Sequence, residues 1–172
     1  PYSGISPGQH ELRIQALSKD QSAYFEPSLI KTITYNLLTE SKILQELNKS
    51  DNTTRFSIDR INRKMMKQLE QPVVIKDSRL IISGWAIDDP TGLPASAVVV
   101  AIDSTCYDAT YGLSRKDIVR HINNDSYANS GWEINIPVKR LEKGHHTMSV
   151  YIVSNDGMSY YETNKKVDFI IQ

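Results

Sequence analysis

Over long stretches of this chain apolar residues recur at every second position, the period of a strand with one buried face. Trp132, Ile134, Ile136 and Val138 alternate with Glu133, Asn135 and Pro137. Met148, Val150 and Ile152 share a face, with Thr147, Ser149 and Tyr151 opposite. Arg79 to Ile87 reads as extended, with Ile81, Trp85 and Ile87 on one side and Leu80, Ile82 and Ala86 on the other. The run Val98-Val99-Val100 marks a strand within Ala97 to Asp103 that is buried on both faces, and Lys166 to Ile171 marks the last strand. With Val73 to Ile75 and a strand near Tyr160, residues 72–172 hold about seven short strands separated by turn signals.

Two stretches break this period. Thr39 is placed to cap a short helix carrying Ile43, Leu44 and Leu47. Ser57 is placed to cap a second, with Ile58, Ile61, Met65 and Leu69 on one stripe and Pro72 as its stop. Residues 36–71 are therefore expected to form a helical linker. Ser114 and Asp117 have capping-box spacing before Ile118, Val119 and Ile122, which predicts a helix inserted between strands.

The chain also repeats itself. Gly8-Gln9-His10-Glu11-Leu12-Arg13-Ile14 matches Gly144-His145-His146-Thr147-Met148-Ser149-Val150 at an offset of 136 residues. The match continues without a gap through Ser18 on Ser154, Asp20 on Asp156 and Tyr24-Phe25-Glu26 on Tyr160-Tyr161-Glu162. A fixed offset marks a repeated structural unit. The first copy lacks every strand that precedes the second, and a lone hairpin is marginal in water. Residues 1–35 are thus expected to be the C-terminal strands of a truncated first module, 36–71 the helical linker, and 72–172 a complete module. The predicted fold is mainly β, an immunoglobulin-like antiparallel β-sandwich preceded by that linker and a partial copy. A barrel is the alternative.

Composition narrows the function classes. The chain of 172 residues carries 20 Lys and Arg against 20 Asp and Glu. No segment departs strongly from neutrality, which argues against nucleic acid as a partner. One cysteine, Cys106, excludes an internal disulfide framework and a cysteine zinc site. No basic stretch leads into an apolar run, and no apolar run approaches the roughly 18–20 residues that span a bilayer. No P-loop, HExxH or GxSxG motif occurs.

Candidate chemistry is sparse. Asp88, Asp89, Asp103 and Asp108 fall near strand ends, where carboxylates can hold calcium; they also suit solvated turns. Tyr151 and Tyr111 are candidate sugar-stacking aromatics, and Arg115 either recognises an anion or pairs with a neighbouring Asp. His146 invites a catalytic reading, but His10 holds the matching place in the repeat, so a structural role at the core rim is expected. His145 points the opposite way and cannot join it on a metal.

The run Ser83-Gly84-Trp85-Ala86-Ile87-Asp88, then Ala101-Ile102-Asp103, Tyr111 to Ile118, Ser130-Gly131-Trp132 and Gly144-His145-His146 resembles a recurring bacterial β-sandwich accessory module. Such modules belong to exported and envelope proteins and are appended to membrane glycosyltransferases. The resemblance implies an immunoglobulin-like fold, an extracytoplasmic location (periplasm, cell surface or medium) and no catalytic residues. The expectation is a non-catalytic spacer or interaction module of a larger cell-envelope protein, accessory to an envelope glycan enzyme. Its partners would be other domains of the same protein, another chain or a glycan, and no cofactor is expected beyond calcium. A carbohydrate-binding module and a hydrolase with its site on the loops are the alternatives.

Overall fold

A strand with one apolar face is stable only when another apolar surface covers that face. The computed structural model of this chain meets that requirement with two sheets. The structure describes residues 43–172 and, ahead of them, the backbone pairing of two short strands. The chain divides into two units, Pro1–Thr39 and Glu40–Gln172. In the first, β1 (Ala16–Leu17) runs antiparallel to β2 (Tyr24–Phe25), with Ala16 opposite Phe25 and Leu17 opposite Tyr24. The remainder of the expected first module, and the cap at Thr39, lie outside the described residues.

The second unit contains, in order, α1 (Ile43–Glu46), β3 (Asn48–Lys49), β4 (Phe56–Ile61), β5 (Lys64–Met65), β6 (Val73–Ile75), β7 (Arg79–Asp88), β8 (Leu93–Pro94), β9 (Ala97–Ile102), β10 (Thr105–Asp108) and β11 (Thr110–Leu113). Then come α2 (Lys116–Ile122), β12 (Gly131–Pro137), β13 (Gly144–Val153) and β14 (Ser159–Ile171). One sheet runs β10-β9-β13-β14, with β3 and β6 both parallel to β14. The other runs β11-β12-β7-β4-β5, with β8 added at the end of β7. The architecture is β-sandwich-like.

Alternation decides what is buried. Leu80 and Ile82 of β7, and Trp132, Ile134 and Ile136 of β12, are all buried. So are Val98, Val100 and Ile102 of β9, Met148, Val150 and Ile152 of β13, and Val167, Phe169 and Ile171 of β14. Each set lies on one face of its strand, and the two sheets share the core these faces make. β9 is buried along nearly its whole length, as its unbroken Val run implies.

The helix expected from Ser57 to Leu69 is a strand hairpin. Ile58 and Ile61, spaced three apart, are both buried because a β-bulge lies between them: Ile58 faces Gly84, yet Arg60 faces Ser83. The extra residue, Asp59, shifts the alternation by one, so a spacing of three returns to the same face. Asn62 and Arg63 both have positive φ, 44° and 69°, the backbone of a tight two-residue hairpin turn into β5. Asn62 fixes the turn, donating to the Asp77 carboxylate at 2.8 Å and accepting from the Ile81 N–H at 2.7 Å. The helical linker over 36–71 is therefore corrected. Among its described residues only the single turn α1 is α-helical, and β3, β4 and β5 belong to the two sheets.

The inserted helix does form, as α2. Its buried Ile118 packs with Ile87 of β7 and with Tyr127, and Trp85 and Ile122 border that cluster. Its cap is not the expected one. Arg115 occupies the N-cap position without a side-chain capping bond to the helix backbone, and Ser114 is exposed. The Asp117 carboxylate turns back to the Arg115 guanidinium instead.

Candidate functional site

A concave feature that brings several of the candidate residues together lies on the outer face of the β11-β12-β7-β4-β5 sheet. On β7, Ile81, Ser83 and Trp85 point away from the core. Trp85 is flanked in register by Ser57 on β4 and Gly131 on β12, so neither neighbouring strand places a bulky side chain beside its indole. α2 stands on one side of this strip and the β4–β5 hairpin with the following turn stands on the other. Between them runs an open groove of about 890 Å³.

Arg115 closes one part of the groove. Its stem lies over Gly131, where an added Cβ would sit 2.9 Å from the Arg115 Cγ and 2.7 Å from the Leu113 carbonyl oxygen. The guanidinium Nε donates to Asp117 Oδ1 at 2.9 Å, Nη2 to Asp117 Oδ2 at 2.7 Å, and Nη1 to Asp59 Oδ2 at 2.8 Å. The bulge at Asp59 is what aims that carboxylate across the sheet. Hydrogen bonding to Arg115 holds the Asp117 carboxyl down at about 2. Of the two readings of Arg115, pairing with neighbouring Asp residues is the one observed. Three of its five N–H groups are engaged, and the partners keep lone pairs to spare. Arg60, Lys67 and His121 line the same groove, are exposed, and have no ion-pair partner among the described residues.

The other candidate residues lie elsewhere. Tyr111 is half-buried and structural: its hydroxyl donates to the Ala86 carbonyl at 2.8 Å and accepts from the Ala95 N–H at 3.1 Å. Burial pushes its pKa up to about 12. Tyr151 sits on the outer face of the opposite sheet, edge-on to Tyr160 with ring centroids 5.8 Å apart. Neither joins the groove lined by Arg115.

The four aspartates are dispersed. Asp88 is fully buried, accepting from the Tyr161 hydroxyl and the Asn155 N–H, each at 2.7 Å, and so ties β7 to the β13–β14 turn. Asp89 is forked by Arg55. Asp103 meets His146 and the Thr147 N–H at the start of β13, whereas Asp88 meets Asn155 beyond its end. Asp108 is exposed on the edge strand β10. No group of three or more His, Cys, Asp or Glu among the described residues is placed to hold a metal ion. Burial raises the pKa of the Cys106 thiol, which disfavours the nucleophilic thiolate.

His146 lies at the core rim, stacked on Phe169 with ring centroids 5.2 Å apart. Its Nδ1 is 2.7 Å from Asp103 Oδ2 and its Nε2 is 2.8 Å from the Glu142 carbonyl oxygen. A carbonyl and a carboxylate both accept, so this setting favours a ring that donates from both nitrogens, the imidazolium. In that form neither nitrogen is free to take up a proton. Burial opposes the charge, but the bonds to Asp103 and Glu142 outweigh it, and the His146 pKa is raised. The Asp103 pKa is lowered, first by the Thr147 N–H and then by His146.

These shifts set a pH window. A raised histidine pKa contributes stability that is whole below about 6.5 and is lost as pH rises through the folded-state value; a lowered aspartate pKa contributes stability that is whole above about 3.9 and is lost in acid. Urea midpoints should therefore fall on both sides of a maximum between those values. His146→Gln should flatten the alkaline side and leave most of the acid side. An unchanged alkaline limb in that variant would mean the ring is neutral in the native protein.

No described helix is long and apolar enough to cross a membrane. No protein-family model and no curated protein matches the chain.

Proposed function

We propose that this chain is a non-catalytic β-sandwich segment of a larger extracytoplasmic protein, serving to space or dock the domains around it, in the service of an envelope glycan enzyme. The observation that carries the reading is a register. The pairs Ala16–Phe25 and Leu17–Tyr24 of the first hairpin become Ile152–Tyr161 and Val153–Tyr160 when shifted by the 136 residues of the sequence repeat, and those are the pairs that β13 and β14 make. The two copies thus share pairing as well as residue types. This supports residues 1–35 as the closing hairpin of a preceding module of the same kind.

Strand order supports an immunoglobulin-like topology for the second unit. β11-β12-β7-β4 stands where D-E-B-A stands in that fold, and β10-β9-β13-β14 where C′-C-F-G stands, with β6 crossing to run parallel to the last strand. In such tandem arrays the module ends serve as joints, and the sandwich supplies a rigid spacing.

Hydrogen exchange and urea melts on residues 1–172 and 43–172 test the tandem reading. The sandwich should show the same midpoint in both. The amides of residues 16–25 should exchange freely in the 1–172 protein and become protected once the preceding segment of the parent protein is joined to it. Protection of those amides without it, together with a lower midpoint on deleting residues 1–39, would make both ends one domain and end the proposal.

A further inference from the structure

We propose that the groove between α2 and the β4–β5 hairpin binds an acidic glycan, one sugar ring resting on Trp85 and the sugar carboxylates meeting Arg60, Lys67 and His121. The inference gives the module a ligand of its own, and it stands whether or not residues 1–39 belong to a preceding sandwich.

Four features point to this class. First, Trp85 is a large aromatic on the outer face of a strand, half-buried against the Ile87 cluster and lining the groove with the rest of its surface. Its partner in register on β4 is the small Ser57, and on the Gly131 side the Arg115 stem lies over the sheet. The part of the indole that lines the groove offers an apolar, π-rich surface to the C–H face of a pyranose. Second, the groove is rich in fixed polar groups. Asp59 and Asp117 are clamped by Arg115, so their remaining lone pairs are already oriented. Arg115 retains two N–H groups. Sugar hydroxyls, each both donor and acceptor, are satisfied by such a mixed set. Third, the charges do not cancel. Arg60, Lys67 and Arg115 outnumber Asp59 and Asp117, so the groove lining carries one net positive charge, with His121 across the groove. That surplus selects an anionic sugar over a neutral one. Fourth, the groove is open along its length and its volume of about 890 Å³ lies in the upper part of the ligand-pocket range, which suits several linked rings.

Two variants separate ligand binding from folding. Trp85 borders the Ile87 cluster, so Trp85→Ala alters packing as well as the groove floor. Arg60→Ala/Lys67→Ala changes only exposed side chains. Calorimetric titration with tetragalacturonate, and with cellotetraose as the neutral control, is the experiment. Tetragalacturonate should bind, and cellotetraose should bind about tenfold more weakly or not at all. Arg60→Ala/Lys67→Ala should weaken tetragalacturonate by about tenfold and reduce the salt dependence of binding. Trp85→Ala should abolish the binding, and Trp85→Phe should keep part of it. The proposal is overturned if alginate, hyaluronan and galacturonate oligomers all fail to bind at millimolar concentration. It is equally overturned if the Arg60→Ala/Lys67→Ala protein binds like the parent, or if neutral and acidic oligomers bind alike.

Discussion

Trp132→Ala is expected to lower the unfolding free energy by about 3–5 kcal/mol, the cost of removing a fully buried aromatic and leaving a cavity. Trp132 is 0% exposed and stands on β12 between Gly84 of β7 and Tyr111 of β11. Its inward neighbours along the strand are Ile134 and Ile136, so the indole fills the end of the shared core. Its Nε1–H is buried and has no acceptor among the described residues. That orphan donor makes a second substitution informative. Trp132→Phe removes volume but sacrifices no hydrogen bond, and it relieves a desolvated N–H. Its cost should be about 1–2 kcal/mol, well below that of the alanine variant. Urea melts of both proteins decide the matter. A loss under about 1 kcal/mol for Trp132→Ala would place the indole outside the core.

The contrast between what the sequence announces and what it hides follows from how local each feature is. Strands β7, β12 and β13 were legible because alternation is written into consecutive residues, and the repeat was legible because matched positions keep one offset. The bulge at Asp59 defeats that logic. It places Ile58 and Ile61 three apart on one face, and three is also a helical spacing. Phe56 and two β-branched isoleucines suit a strand, but the stripe continued through Met65 and Leu69 has helical spacing. The cap at Ser114 fails for a related reason: Asp117 takes a two-bond fork from the Arg115 guanidinium in place of a single bond from a backbone N–H.

The groove was the least legible feature, because its walls come from segments around residues 60, 84, 115 and 131 that only the folded sheet brings together. The one hint is Trp85, which the alternation places on one side of its strand with Ile81 and Ile87 without saying which side faces the core. The dispersal of the aspartates is a matter of strand direction. Asp88 closes β7 and Asp103 follows β9, but β7 and β9 end at opposite ends of β13, a fact no spacing along the chain contains.

Gly84→Ala should be the most damaging alanine substitution among the described glycines, costing about 3 kcal/mol, the upper end of what overpacking does. A Cβ on Gly84 would stand 1.9 Å from the Ser57 carbonyl oxygen, 2.9 Å from its carbon, and 3.0 Å from the Trp132 ring. Two of those three atoms are backbone, so no rotamer change makes room, and β4 must move away from β7. Moving β4 uncovers Ile58 and Ile61 and carries Asp59 away from Arg115. The loss should therefore appear as faster hydrogen exchange along Phe56–Ile61 and as weaker tetragalacturonate binding, at sites the alanine itself does not touch. Combining Gly84→Ala with Trp132→Phe distinguishes the two obstacles. Because the nearest atom is the Ser57 oxygen, the smaller ring should restore little. Recovery of most of the lost stability in the double variant would show that the indole, and not the close approach of β4, is what requires a glycine at this position.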